Sequence, residues 1–225
     1  MKLNRTKTFL LASVLALTVV GMTVSATAQT KGGGGSGWLT QGAEILPMGK
    51  KAFEFRFGFP STDFALRIPV VPNVMEVAPF VTMDYVNYLG KWSGYFGDSL
   101  GVQLKFKLWN SGPMALSLNF DMGLAMVYTG AFNLAFQIGG PEFKFSYRWN
   151  NPNIAVIGGF KMPIKVFMIN GAVAYIPLLF TLGTEYHVLS NLNIHAHLEV
   201  GPEICAPGPV VGGHFGFQFG ISYLF

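Results

Sequence analysis

The chain has 225 residues, of which 51% are hydrophobic and only 12% charged, with 28 Gly and 21 Phe. About 25% charge is usual for a soluble domain, so a conventional charged coat is excluded. Beyond residue 28 no run reaches the ~20 apolar residues of a spanning helix, which excludes a helical membrane protein. The net charge of +4 falls to +1 once Lys2, Arg5 and Lys7 are set aside, so no nucleic-acid partner is expected.

Those three basic residues precede an apolar stretch from Phe9 to Val24 and a small-x-small site at Ala26-Thr27-Ala28. This is the layout of a cleavable export signal over residues 1–28. Residues 29–50 open with Lys31-Gly-Gly-Gly-Gly-Ser-Gly37, a flexible-linker composition. Trp38 to Met48 is read as a short helix or plug-like segment, and 29–50 as a whole as a periplasmic arm. The single cysteine, Cys205, has no internal disulfide partner and is read as a small apolar residue.

From Lys51 onward the sequence alternates. Phe53, Phe55, Phe57 and Phe59 oppose Glu54, Arg56 and Gly58; Phe64, Leu66, Ile68 and Val70 oppose Asp63, Ala65 and Arg67. Val77, Val81, Met83 and Tyr85 oppose Glu76, Ala78, Thr82 and Asp84, and residues 87–99 read as a loop. Leu100 to Leu108 and Leu116 to Met126 repeat the pattern, with Gln103, Lys105, Lys107, Asn119 and Asp121 on the polar phase. Phe143, Phe145, Tyr147 and Trp149 oppose Glu142, Lys144, Ser146 and Arg148. Phe160 to Val166 oppose Lys161 and Lys165, with a bulge expected at Ile157-Gly158-Gly159. Phe180, Leu182, Tyr186 and Val188 then oppose Thr181, Gly183, Glu185 and His187, and Ile194 to Val200 oppose Asn193, His195, His197 and Glu199. A period of two is the spacing of a strand whose side chains alternate between two faces.

The last segment is the strongest. Phe215, Phe217, Phe219, Ile221, Tyr223 and Phe225 oppose His214, Gly216, Gln218, Gly220 and Ser222. It resembles the closing strand of bacterial outer-membrane β-barrels. The resemblance implies that Phe215, Phe217, Phe219, Tyr223 and Phe225 form a signal read by the barrel assembly machinery. It further implies periplasmic chaperones, outer-membrane lipid and lipopolysaccharide as partners, a monomeric state and a Gram-negative outer membrane as the location. The expected fold is an all-β, antiparallel, up-and-down transmembrane barrel over 51–225 with ten strands, or eight if the first two segments lie outside the wall. Turn signals near 71–73, 110–113, 150–153 and 189–191 fall on alternate connections and so at one end, as the short periplasmic turns of such barrels do.

Alternation does not say which face looks outward, and a soluble lipocalin-like barrel alternates with its apolar face inside. Here the polar phase is poor in charge for a solvent-facing exterior, and so many Phe rings would overfill a small closed interior. The apolar phase is therefore assigned to lipid, with Trp109 and Trp149 as interfacial anchors. The lumen then receives Arg56, Arg67, Lys105, Lys107, Asp121, Lys144, Arg148, Lys161 and Lys165 among other charges. Buried charges need partners, so a paired network in a largely side-chain-filled lumen is expected. All four histidines share the polar phase, and Glu185, His187, His195, His197, Glu199 and His214 form a candidate cluster. Such a set suits a divalent metal or a proton relay, although His-x-His on a strand is not a specific metal motif, and no cofactor is expected.

The function expected is structural, interaction-based or narrow-solute transport by a porin-like membrane barrel. The alternatives are a selective pore lined by His and Glu, and an envelope enzyme acting on lipid or peptide. Lipid A deacylases place a His and a Ser on the outward surface, whereas all four His here fall on the inward phase. Omptin proteases carry acidic residues and a His at an extracellular rim, and no matching pairs are found here. The sequence reading is accordingly of a non-enzyme.

Overall fold

The computed structural model describes residues 38–85, 97–128, 132–148, 153–168, 172–206 and 210–225. The proposed export signal and the Gly-rich stretch lie outside them, as does Trp149. Among the described residues all regular structure is strand: β1 (Ala52–Phe59), β2 (Ser61–Val71), β3 (Met75–Asp84), β4 (Gly97–Ser111), β5 (Met114–Tyr128), β6 (Phe132–Arg148), β7 (Ile154–Met168), β8 (Ala172–Pro177), β9 (Leu179–Leu189), β10 (Leu192–Ala206) and β11 (Val210–Leu224). Neighbours pair antiparallel throughout, and β11 returns to β1, from Ala52↔Leu224 to Phe59↔Phe217, so the sheet closes on itself.

β8 and β9 are two parts of one crossing. Both lie between β7 and β10, and the register of Lys165↔Tyr175 continues as Lys161↔Leu179. The barrel therefore has ten crossings. The eight-strand alternative fails because β1 and β2 pair with each other and are built into the wall, β1 against β11 and β2 against β3.

The two phases separate as alternation requires. Leu100, Phe180 and Phe215 are 60% or more exposed, while Glu54, Arg67, Glu76, Lys105 and Glu185 are 2% or less. Soluble proteins show the opposite distribution, which excludes the lipocalin-like arrangement. Rings knit the outer face where the barrel closes: Phe57 pairs with Phe219 across β1 and β11 at 6.2 Å, and Phe55 meets Phe64 on β2 at 4.9 Å. Such cross-strand aromatic pairs each contribute roughly 0.5–1 kcal/mol.

The short connections at 72–74, 112–113 and 190–191 lie at the end that also holds Lys51 and Phe225, whose backbones exchange hydrogen bonds. Asn73 and Gly112 take positive φ, the conformation these tight turns require and for which Asn and Gly are suited. Trp109 is exposed near this end.

One local expectation, the place of the bulge, is corrected. The bulge is in β6, where the register against both neighbours shifts by one residue across Gly140–Pro141. Residues 157–159 stay in phase, because Gly158 and Gly159 pair without interruption on both sides. The bulge explains how Gln137 and Glu142, of opposite parity, both face inward.

Candidate functional site

The lumen is the candidate site, and it has two unlike halves. The half nearer the short turns is filled by chain. Trp38, Leu39, Thr40, Gln41, Ala43, Ile45 and Leu46 are buried there. The sequence reading treats 29–50 as an arm; of that range, residues 38–46 are packed within the barrel.

This segment forms no ladder with any strand, so its backbone is satisfied by lumen side chains. Glu185 accepts from the backbone N–H of Thr40 and of Gln41, each at 3.0 Å, and from Asn193 Nδ2 at 2.5 Å. Ser146 Oγ accepts from Ala43 N at 3.2 Å and donates to Glu44 Oε2 at 2.8 Å. Glu76 Oε2 accepts from Leu46 N at 3.2 Å. Lys105 Nζ donates to the carbonyls of Thr40 and Glu44 at 3.3 and 3.0 Å, and Asn193 Nδ2 to that of Trp38 at 3.3 Å. Arg148 pairs with Glu44 at 3.3 Å. Trp38 Nε1 donates to Ser190 O at 3.0 Å, and its ring meets His187 edge-on at 5.6 Å. Trp38 and Leu46 also pack with Ala52 and Leu224, a small apolar cluster at the end of the barrel.

A charged layer lies at mid-height. Arg67 bridges Glu54 at 2.5 Å and Glu76 at 3.2 Å, and Lys105 stands 3.5 Å from Glu76. Arg56 reaches Glu54 at 3.3 Å and Asp63 at 3.5 Å, and Gln41 of the plug segment donates to Glu54. Removing such charges from water is expensive unless each has close partners; here carboxylates and cations alternate, so each charge is offset within the layer.

The other half is a cup. A cavity of about 160 Å³ is lined by Arg56, Asp63, Asp84, Lys161, Lys165 and Glu199, with Phe80, Tyr175 and Phe217 among its apolar and aromatic walls. Its charges satisfy one another. Lys165 pairs with Asp84 at 3.4 Å, Lys161 with Glu199 at 2.5 Å, and Gln218 Nε2 donates to Ser61 Oγ at 2.7 Å and Asp63 Oδ2 at 2.6 Å. A second cavity of about 80 Å³, touching Gln41, Asp121, Glu142, Lys144 and His197, lies between cup and plug segment. There Gln103 donates to Asp121 at 2.8 Å, and Asn119 to Glu142 at 2.9 Å.

The histidine cluster comes together in part: His197, Glu199 and His214 stay together, while His187, His195 and Glu185 have other partners. His187 sits against Trp38. His195 is buried 3.8 Å from Glu54. His197 and His214 approach Glu199 at 3.4 and 3.8 Å, and His214 Nδ1 lies 2.9 Å from Glu203. Glu185 belongs to the plug contacts. Among the described residues no three His, Cys, Asp or Glu side chains come together as metal ligands would. The remaining lumen residues predicted from sequence face inward, Lys107 being only half-buried.

Sequence reasoning missed Tyr175 and Glu203, which share a hydrogen bond of 2.5 Å. Glu203 continues the odd-numbered polar phase of β10 past Val200, so following the alternation further would have found it. Gln41 and Glu44 carried no periodic signal.

No protein-family model matches the chain, and no curated protein sequence does. Solved barrels resemble it at low identity. The outer-membrane protein OmpT of Vibrio cholerae aligns at TM-score 0.38 and 11% identity, over 78% of this chain and 64% of that one, so the chain spans under two thirds of its length. A loop-deletion mutant of that protein aligns at 0.39 and 12%, over 91% of this chain and 72% of that one. The outer membrane protease OmpT from Escherichia coli aligns at 0.41 and 10%, covering 78% and 93%. These likenesses concern barrel architecture alone. They correct one expectation: a protease stands among these barrels, so the exclusion of an enzyme is withdrawn.

Proposed function

We propose that this chain is an integral outer-membrane barrel sealed from within. Residues 38–46 close the lumen at the periplasmic, short-turn end, and the cup faces the opposite side. The apolar outer wall meets outer-membrane lipid. The role that suits this build is that of a closed scaffold which holds a small polar solute in its cup rather than passing solutes freely.

The observation that carries the proposal is the grip on the plug. Two consecutive backbone amides converge on the buried Glu185 carboxylate, and the same segment is bonded by Ser146, Glu76, Lys105 and Asn193. Each charge-assisted bond contributes about 1.5–3 kcal/mol, so thermal fluctuation alone does not empty the lumen.

Planar-bilayer recording tests it. The intact chain is expected to give no stepwise conductance, and a chain lacking residues 38–48 to give discrete steps. Sustained open conductance from the intact chain overturns the sealed-barrel reading. A water-soluble monomer that migrates identically before and after heating overturns the membrane reading itself.

A further inference from the structure

One part of the cup wall is not a continuous ladder. The pairing of β7 with the β8–β9 crossing runs from Met168↔Ala172 to Lys165↔Tyr175 and resumes at Lys161↔Leu179. Residues 162–164 and 176–178 face each other across the interval. Pro163 and Pro177 sit there, and neither has an N–H to give. The neighbouring strands are altered at the same level. In β6 the Gly140–Pro141 bulge adjoins Gly139↔Pro163. In β10 the ladder pauses between Glu203↔Pro177 and Val200↔Phe180, bridged by Leu178 N donating to Pro202 O at 2.9 Å. A Cβ at Gly140 would overlap Met162 O, and one at Gly201 would overlap Leu178 O, so the carbonyls bordering the interval lean into neighbours that have no side chain.

This interval backs directly onto the cup. Pro163, Pro177 and Leu179 line the cavity from inside, while Met162, Ile164 and Leu178 fall on the lipid-facing phase. An interrupted ladder with an apolar outer face thus lies beside a polar cavity. On β7, Lys161 and Lys165 flank Pro163 on the inward face. The carboxylates that answer them, Glu199 and Asp84, line the same cavity, with Asp63 opposite. Cations and anions in one small space suit a headgroup that carries both signs.

We propose that this proline seam is a lateral portal, and that the cup takes the zwitterionic headgroup of a single-chain phospholipid whose acyl chain passes through the seam into the membrane. The phosphate is received by Lys161 and Lys165, and the ammonium by Asp63 and Asp84. A cavity of about 160 Å³ has room for such a headgroup, and the proline seam beside it gives the acyl chain a direct route into the membrane. The inference rests on the membrane reading above.

The test uses the full-length chain in vesicles that contain lysophosphatidylethanolamine, with native mass spectrometry of bound lipid. Met162→Cys with Leu178→Cys, in a Cys205→Ser background, places a reducible crosslink across the seam. The parent chain is expected to retain one lysolipid, the oxidised double variant to lose it by about tenfold or more, and the reduced variant to regain it. Lys161→Gln with Lys165→Gln is expected to lose it as well, since two charge-assisted bonds go. Equal retention in oxidised and reduced forms overturns the portal. Failure of the parent to bind the lysolipid while still migrating as a heat-modifiable barrel overturns the portal and leaves the membrane reading standing. Failure to enter vesicles removes both.

Discussion

The plug half and the cup half of the lumen are built from the same residue types, yet one is solid and the other hollow. In the plug half, Glu185, Glu76 and Lys105 bond another segment's backbone, the last two while also pairing within the charged layer. In the cup half, Lys161, Lys165, Glu199 and Asp84 bond one another. The difference teaches that a buried charge in a barrel is not in itself a sign of a pore or of a scaffold. What matters is whether it closes on a neighbour, leaving space free, or on chain that occupies the space.

The largest effect is expected at the layer that joins the halves. Arg67→Leu leaves Glu54 and Glu76 facing each other without their bridging cation. Breaking a buried pair from one side costs about 3–5 kcal/mol, read as a lower urea midpoint for the folded barrel. Wild-type stability in that variant would mean that Lys105 and Arg56 carry the layer alone.

Glu185→Ala comes next. It strands two buried amides of the plug segment, each costing about 1–3 kcal/mol. Because the wall is untouched, the loss is expected to appear as protease cleavage between residues 38 and 48 with the barrel remaining resistant. Cleavage of the barrel at the same rate would erase the distinction between halves. Gln218→Leu, in the cup, removes the bridge from β11 to Ser61 and Asp63. About 1–2 kcal/mol is expected, with no change in plug cleavage.

Combining Glu185→Ala with Gln218→Leu sharpens the comparison. Residues that share no partner add within about 0.5 kcal/mol, so the double variant is expected to equal the sum of the singles in urea unfolding. A larger departure would make the halves one cooperative network. Smallest of all is Lys165→Gln by itself. Both partners are buried, Lys165 at 8% and Asp84 at 7% exposure, but glutamine keeps an N–H to give to Asp84 Oδ2, so a loss of about 1 kcal/mol is expected in urea unfolding, below that of Arg67→Leu, which leaves no donor.

The wall was legible because lipid on one side and packed polar side chains on the other impose a strict period of two. Phe53 through Phe59 and Phe215 through Phe225 state it outright, and the turns at Asn73 and Gly112 punctuate it. Neither 132–141 nor 172–178 was read as strand. In the first, Phe132, Leu134, Phe136 and Ile138 alternate with Asn133, Ala135, Gln137 and Gly139 up to the Gly140–Pro141 bulge, so the signal was present; in the second, Ala172, Ala174 and Pro177 leave it weak. The histidines show a second limit. Alternation assigns His187, His195, His197 and His214 to one face but says nothing of their height, and of the four only His197 and His214 meet on one carboxylate, Glu199. The plug segment shows a third. Trp38 to Leu46 is enclosed on all sides, so it has no periodicity, and the groups that hold it lie more than a hundred residues away in Glu185, Ser146 and Asn193.

That separation bears on how the molecule is assembled. Thr40 and Glu185 are 145 residues apart, and Thr40 also meets Ser222 at 2.7 Å, 182 residues along the chain. Neither partner has its place until β9 to β11 are laid down and β11 has found β1. The earliest of these segments in the chain is therefore the last that can settle, since contacts so distant in sequence bring their reward only after the intervening chain is ordered. Occupancy of the Glu185 carboxylate by residues 40 and 41 is thus a mark of a finished barrel, and protease resistance between residues 38 and 48 is a measure of how many copies have been closed.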